Sequence, residues 1–263
     1  MTTRTVLIED MTAPEIGSRA ARSVLFVPLG SIEQHGPHMP IDTDSIIASA
    51  ICCAVADRIE GLVGPKFNYG CRSLPISGGG ELFPGTISLT GETFTCVVSD
   101  LISTYVDHGH PRIVLINGHY ENTMFAIEGA KRALRNVPQA RILLIDWWTI
   151  LDPQTLSELF DGNFPGWEAE HAGVIETSML MHIAPERVLA DRIENRTGSI
   201  PPPLFTVLPE REGLVDPSGV LRTAWGANPD LGASMFDKVV EIITQIVNGE
   251  FPNASAAISE EPR

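Results

Sequence analysis

The chain has 263 residues, enough for one well-filled α/β domain and a stretch for two independent cores. With 43% hydrophobic and 19% charged residues it reads as globular rather than disordered. A formal net charge of −15, with no cluster of Lys and Arg, argues against nucleic acid and against anionic membrane surfaces as partners.

The first residues, MTTRTVLIEDMTAPEIGS, lack the basic start and long apolar core of a signal peptide. No run reaches the roughly 20 apolar residues of a membrane span. Cys52, Cys53, Cys71 and Cys96 show no CxxC spacing and read as thiols in a reducing compartment. A cytoplasmic protein is expected.

In chain order, residues 24–30 (VLFVPLG) form the first expected strand and 44–59 the first long helix. A strand over 62–69, a helix over 91–108, a strand over 112–118, a helix over 122–136 and a strand over 141–147 follow. This alternation predicts an α/β fold, a mainly parallel central sheet covered by helices on both faces. Another helix is expected from about His171 to before Pro185. Residues 196–230, crowded with Pro201, Pro202, Pro203, Pro209 and Pro217, read as an irregular excursion of the lid or interface kind. An amphipathic helix over 231–247 closes the domain, and the tail from about 252 reads as frayed. The whole of 1–263 is read as a single domain.

Ligands of parallel sheets gather at the carboxyl ends of the strands. Two strand ends here have the same form. The first finishes in Gly30-Ser31-Ile32-Glu33-Gln34-His35-Gly36, the third in Asn117-Gly118-His119-Tyr120-Glu121-Asn122. Each offers a carboxylate and an imidazole at i and i+2, which point the same way in extended backbone. Asp44, at the start of a helix, completes the set. One His-x-Glu at a strand end is usually of no consequence; two such pairs and an aspartate are much harder to obtain by accident.

Glu33, His35, Asp44, His119 and Glu121 form a ligand set suited to Zn²⁺ or Mn²⁺. Five ligands exceed what one catalytic zinc takes from protein. Two ions about 3.5–4 Å apart resolve the excess, with Asp44 as the natural bridge. Asp44 or Asp42 could also serve only as a helix cap, and His38 reads as a supporting residue. Gly166-Trp167-Glu168-Ala169-Glu170-His171-Ala172-Gly173, followed by Glu176, offers His171 as a proton shuttle. Trp147, Trp148 and Trp167, taken alone, are more often core than site. The Ser77-Gly78-Gly79-Gly80 turn could bring backbone N–H groups to a ligand or form a flexible loop.

The stretches GSIEQHGPHMPIDTD, SGGGELFPGT, NGHYENTMF and GWEAEHAGVIETSM together resemble the creatininase family, from about Leu25 to the last helix. The resemblance implies an α/β/α sandwich assembled as a homo-oligomer, a hexamer built from dimers. It implies a binuclear centre of two divalent ions, Zn²⁺ and Mn²⁺, that opens a cyclic amide, with creatinine converted reversibly to creatine. One ion would be held by Glu33, Asp44 and His119, the other by His35, Asp44 and Glu121. Ser77, Tyr120, Trp147, Trp167, Glu168 and His171 would hold a small-molecule substrate, with His171 and Glu121 as catalytic groups. At Glu168 the family's namesake carries Asp, so this chain lengthens that carboxylate by one methylene. A hydrolase of the same family acting on another cyclic amide, a formamide or a peptide, and a non-catalytic metal-binding assembly subunit, are the competing readings.

Overall fold

A computed structural model describes residues 5–164, 166–167, 170–195 and 204–252. Among them four strands form one sheet: β1 (Leu25–Leu29), β2 (Leu62–Val63), β3 (Arg112–Asn117) and β4 (Arg141–Asp146). Their order is β2-β1-β3-β4 and every pairing is parallel. Leu29 lies beside Asn117, and Asn117 beside Asp146, so the three longer strands end level with one another.

The described residues also form seven α-helices: α1 (Ala13–Ala20), α2 (Thr43–Ile59), α3 (Gly91–Asp107), α4 (Asn122–Ala133), α5 (Pro153–Leu159), α6 (Val174–Ile183) and α7 (Pro229–Glu250). On one face, Phe94, Val98 and Ile102 of α3 and Ala126 and Ala133 of α4 pack against Leu25, Val27 and Leu115. On the other, Ile47 and Ile51 of α2, Ile175 and Met179 of α6 and Val239 and Ile243 of α7 pack against Phe26, Val114 and Ile116. The alternation along each strand sends successive side chains to opposite cores. This is the expected three-layer α/β/α arrangement, with β1 buried along its whole length.

The second strand is shorter than the expected 62–69. Pro65 has no N–H to offer a sheet ladder, and pairing resumes only where Phe67 N–H donates to Pro28 O and Gly30 N–H to Phe67 O, both at 2.9 Å. The helix expected from His171 starts three residues later. Ala172 takes φ +52 and Gly173 is the N-cap, so His171 sits on the turn before α6. The last helix is longer than 231–247: Pro229 fits its first turn and the Asn228 side chain accepts from Leu231 N–H at 2.9 Å. Residues 204–228 are irregular, as expected for that part of the excursion. Its first part, 196–203, and the tail expected to fray lie largely outside the described residues. No helix among those described is long and apolar enough to cross a membrane.

Candidate metal centre

The first turn of α2 is wedged between the ends of β1 and β3. A Cβ at Gly30 would stand 2.1 Å from Ser45 Oγ, and one at Gly118 would stand 2.4 Å from the Asp44 carbonyl oxygen. Only glycine allows that approach, and it carries the Asp44 carboxylate into the space between the two strand-end ligand pairs.

Asp44 reaches an imidazole with each oxygen. Oδ1 lies 3.0 Å from His35 Nε2, and Oδ2 lies 3.2 Å from His119 Nδ1. Glu33 Oε2 stands 2.9 Å from the same His119 nitrogen. The outer nitrogens are spoken for: His119 Nε2–H donates to Cys71 O and His35 Nδ1–H to Glu33 O, both at 3.0 Å. With these partners in place, His119 Nδ1 and His35 Nε2 are the nitrogens left facing the centre, and they become lone pairs when a cation displaces their protons.

Three groups of ligand atoms converge within 4.8 Å: Glu33–Asp44–His119, His35–Asp44–Glu176 and Glu33–His35–His171. Four of the five expected ligands are therefore brought together. Glu121 stands apart from these groups. Its Oε1 accepts from Leu74 N–H at 3.1 Å and from the Ser77 hydroxyl, while Oε2 lies 3.2 Å from His119 Nε2. Glu176, read in the sequence as part of the cluster around His171 and not as a ligand, lies beside His35 and Asp44.

The donor set fits divalent cations. His35 Nε2, Asp44 Oδ2 and Glu121 Oε2 are buried without a hydrogen-bond partner; the 3.0 Å approach of His35 to Asp44 lacks hydrogen-bond alignment. Orphaned ligand atoms at this depth are costly unless something binds them. Electrostatics agree. Burial disfavours ionising Asp44, but His35 and His119 overcome it and hold the carboxyl below the usual carboxylate range. Burial likewise pushes His35 down, yet Asp44, Glu176 and Glu33 raise it to about 10. His119 is raised well above its ordinary value, with Glu33 and Glu121 outweighing burial. The site favours positive charge at the positions where ions would sit.

A second layer holds the ligands. The Ser73 hydroxyl donates to Glu33 Oε1 and accepts from Gly80 N–H at 2.7 Å. The Ser77–Gly80 turn is thus packed onto a ligand carboxylate and is not a free loop. Under β3, Asn117 Nδ2 donates to His119 O and to Asp146 Oδ1, both at 2.7 Å. Gln34, also missed by sequence reasoning, donates to Gly78 O at 3.0 Å and Gly219 O at 2.8 Å. Its backbone carbonyl accepts from His171 Nε2–H at 2.9 Å. His38 bonds Thr177 Oγ1 at 2.8 Å and joins no ligand group among the described residues. Asp42 neither caps α2 through its side chain nor approaches the centre; it pairs with Arg187 at 2.8 Å.

The centre forms the floor of a cleft of about 520 Å³. Ser77, Tyr120, Trp147, Trp167 and His171 all line it, and Trp148 and Glu170 join them. The Trp147 ring meets Trp148 and Trp167 edge-on at 6.0 and 6.1 Å. Burial and the neighbouring Glu176 push Glu170 up to about 8. Glu168 lies outside the described residues. No Lys or Arg lines the cleft among the described residues.

Comparison with known proteins gives this arrangement a family. The profile described as creatininase, creatinine amidohydrolase, matches residues 9–247. The creatinine amidohydrolase of Pseudomonas putida is 37% identical, over 95% of this chain and 98% of that one. A mycofactocin precursor peptide peptidase from Mycobacterium ulcerans is 34% identical, over 82% of this chain and 81% of its own. Among solved structures, a Zn–Zn type mutant creatininase superposes with a TM-score of 0.90 and a manganese form with 0.91. Each is 36% identical and covers 95% of this chain and 100% of its own. The chain belongs to the creatininase family of amidohydrolases.

Proposed function

We propose that this protein is a two-metal amidohydrolase that opens a cyclic amide, with creatinine as its substrate. The observation that carries the reading is the convergence of Glu33, His35, Asp44 and His119, with orphaned donor atoms, under a Trp-walled cleft that also holds His171. One ion is assigned to Glu33, Asp44 and His119. The other belongs at His35 and Asp44, with Glu121 at the edge of the centre. Zinc and manganese are the ions of choice, from the mixed nitrogen and oxygen donors and the forms of the solved relatives.

When bound, the ions supply Lewis acidity, lowering the pKa of a coordinated water and polarising the amide carbonyl. The side chains do the rest. Asp44 holds both halves of the centre in one geometry, with an oxygen toward each imidazole. Glu121, which lines the cleft and whose Oε2 has no hydrogen-bond partner, accepts a proton from the attacking water. His171, which lines the cleft beside the centre, delivers a proton to the ring nitrogen as the carbon–nitrogen bond breaks. Trp147, Trp167 and the acidic wall attract a cationic guanidinium-like group by cation–π and charge. Family likeness favours a homo-oligomer, and the four free cysteines suit a reducing, cytoplasmic setting.

Creatinine hydrolysis by metal-loaded protein tests the reading directly: creatine should accumulate, and a metal-loaded protein that leaves creatinine untouched overturns the substrate. The peptidase relative and the roomy cleft support a second reading, hydrolysis of a short peptide. Peptide cleavage without creatinine turnover would select it.

A further inference from the structure

We propose that the cleft carries an apolar subsite at its rim, formed by Ile76, Leu204 and Leu221, which takes a neutral hydrocarbon arm on the cyclic amide. The inference rests on the amidohydrolase reading above and narrows its substrate class.

The cleft is divided by chemistry. Glu33, Asp44, His119 and Glu121 line it where the centre forms its floor, and Ile76, Leu204 and Leu221 line it as well. These three come from outside the strand ends. Ile76 lies in the short 3-10 turn Pro75–Ser77, and Leu204 and Leu221 lie in the irregular stretch before α7. Leu221 N–H donates to His171 O at 3.1 Å, and a Cβ at Gly78 would stand 2.5 Å from Leu221 Cγ. Leu221 is thereby packed onto the turn that carries Ile76. A small groove that shares Ile76 with the cleft is lined by Phe205, the chain neighbour of Leu204. The apolar side chains therefore form one continuous rim.

Exposure separates this rim from the core. Leu221 is buried, whereas Ile76 is 42% exposed and Leu204 is 100% exposed. A lone exposed leucine needs no explanation. Apolar side chains gathered on a concave surface above a reactive centre mark a binding site.

Two further observations select the occupant. A cleft of about 520 Å³ falls in the range of sites for drug-sized ligands. Creatinine, a single small ring bearing a methyl group, leaves much of that space unfilled. Glu33, Asp44, Glu121, Glu170 and Glu176 line the cleft, and no Lys or Arg does so among the described residues. An anionic arm would meet carboxylates with no cationic side chain beside it. A hydrocarbon arm instead removes Ile76 and Leu204 from water.

The test uses zinc-loaded protein and three cyclic amides that differ at one ring nitrogen. They are creatinine with its methyl group, the homologue with a butyl group, and the homologue with a carboxypropyl arm of similar length. The butyl homologue should be opened with a kcat/KM about tenfold above that of creatinine, and the carboxypropyl homologue with a kcat/KM below it. Ile76→Ser and Leu204→Ser change exposed positions, and each should lower the butyl-to-methyl ratio about threefold or more.

Turnover of creatinine with a butyl-to-methyl ratio at or below one overturns the subsite and leaves the amidohydrolase reading intact. A raised ratio that neither variant lowers overturns the assignment to Ile76 and Leu204. Faster opening of the carboxypropyl homologue than of the butyl one overturns the neutral arm. Opening of the butyl homologue alone supports the subsite while defeating creatinine as the substrate. Protein that opens none of the three defeats the cyclic-amide reading, and the subsite with it.

Discussion

Gly118 approaches Asp44 so closely that a Cβ at position 118 would stand 2.4 Å from the Asp44 carbonyl oxygen. The strand end and the helix start therefore fit only with hydrogen as the side chain. Gly118→Ala should destabilise the fold by about 1–3 kcal/mol, the range for overpacking, and should also displace Asp44. Denaturant unfolding and metal analysis on the same sample check both effects. Gly249→Ala, with nothing within 4 Å of the added carbon, is the control and should leave metal content unchanged.

Ser73 supplies the hydroxyl that holds Glu33 Oε1 and takes Gly80 N–H in turn. Ser73→Ala leaves that carboxylate oxygen without its donor in a buried site. Metal affinity should fall about 10–100-fold, as for other outer partners of metal ligands. Competition with a chromophoric chelator measures it, and unchanged affinity would remove Ser73 from the support of Glu33.

The chelated protein should lose stability as pH rises. His35 moves from an ordinary 6.5 to about 10, against burial, under the carboxylates of Asp44, Glu176 and Glu33. A raised folded pKa contributes stability that is full below 6.5 and is lost as pH climbs through about 10. Glu170, raised from 4.5 to about 8 by burial and Glu176, acts in the same direction and has lost its contribution above 8. Asp44 is depressed instead, so its contribution disappears only in acid. Chelated protein should therefore melt at lower urea at pH 9 than at pH 6. Metal affinity should rise over the same window, because binding displaces the His35 proton. A flat urea midpoint would show that the His35–Asp44 pair does not carry this charge.

His171 lies on the cleft, with Nε2 held by the Gln34 carbonyl. His171→Ala should lower kcat about 10²–10⁴-fold, the usual worth of a positioned proton donor. Metal content should stay at the native value. Near-normal turnover would exclude His171 as the shuttle; loss of an ion would instead place it among the ligands with Glu33 and His35.

Much of the site was legible because strand geometry is local. Glu33 and His35 share a face by the period of two, and Gly30 and Gly118 announce the sharp exits from β1 and β3. The place of Glu176 beside His35 was not legible, since it reaches His35 only through the packing of α6, more than a hundred residues further along the chain. The turn before α6 was also hidden. Nothing in the residue type of Ala172 announces a left-handed backbone, which costs about 1–2 kcal/mol in a non-glycine residue. The short α1 does carry a local signal, a capping box from Thr12 to Glu15, and such a signal is weak without the tertiary contacts that stabilise so short a helix.

Gln34 joins the Gly78 turn, the Gly219 turn and the His171 side chain through one buried residue. Three segments distant in sequence are consequently locked to the ligand strand, and a change in any one is transmitted to the ions. The Trp147 and Trp167 wall lies outside that knot. A lineage drifting toward a new substrate is therefore free to remodel the aromatic wall first, leaving the hydrolytic centre untouched while its menu changes.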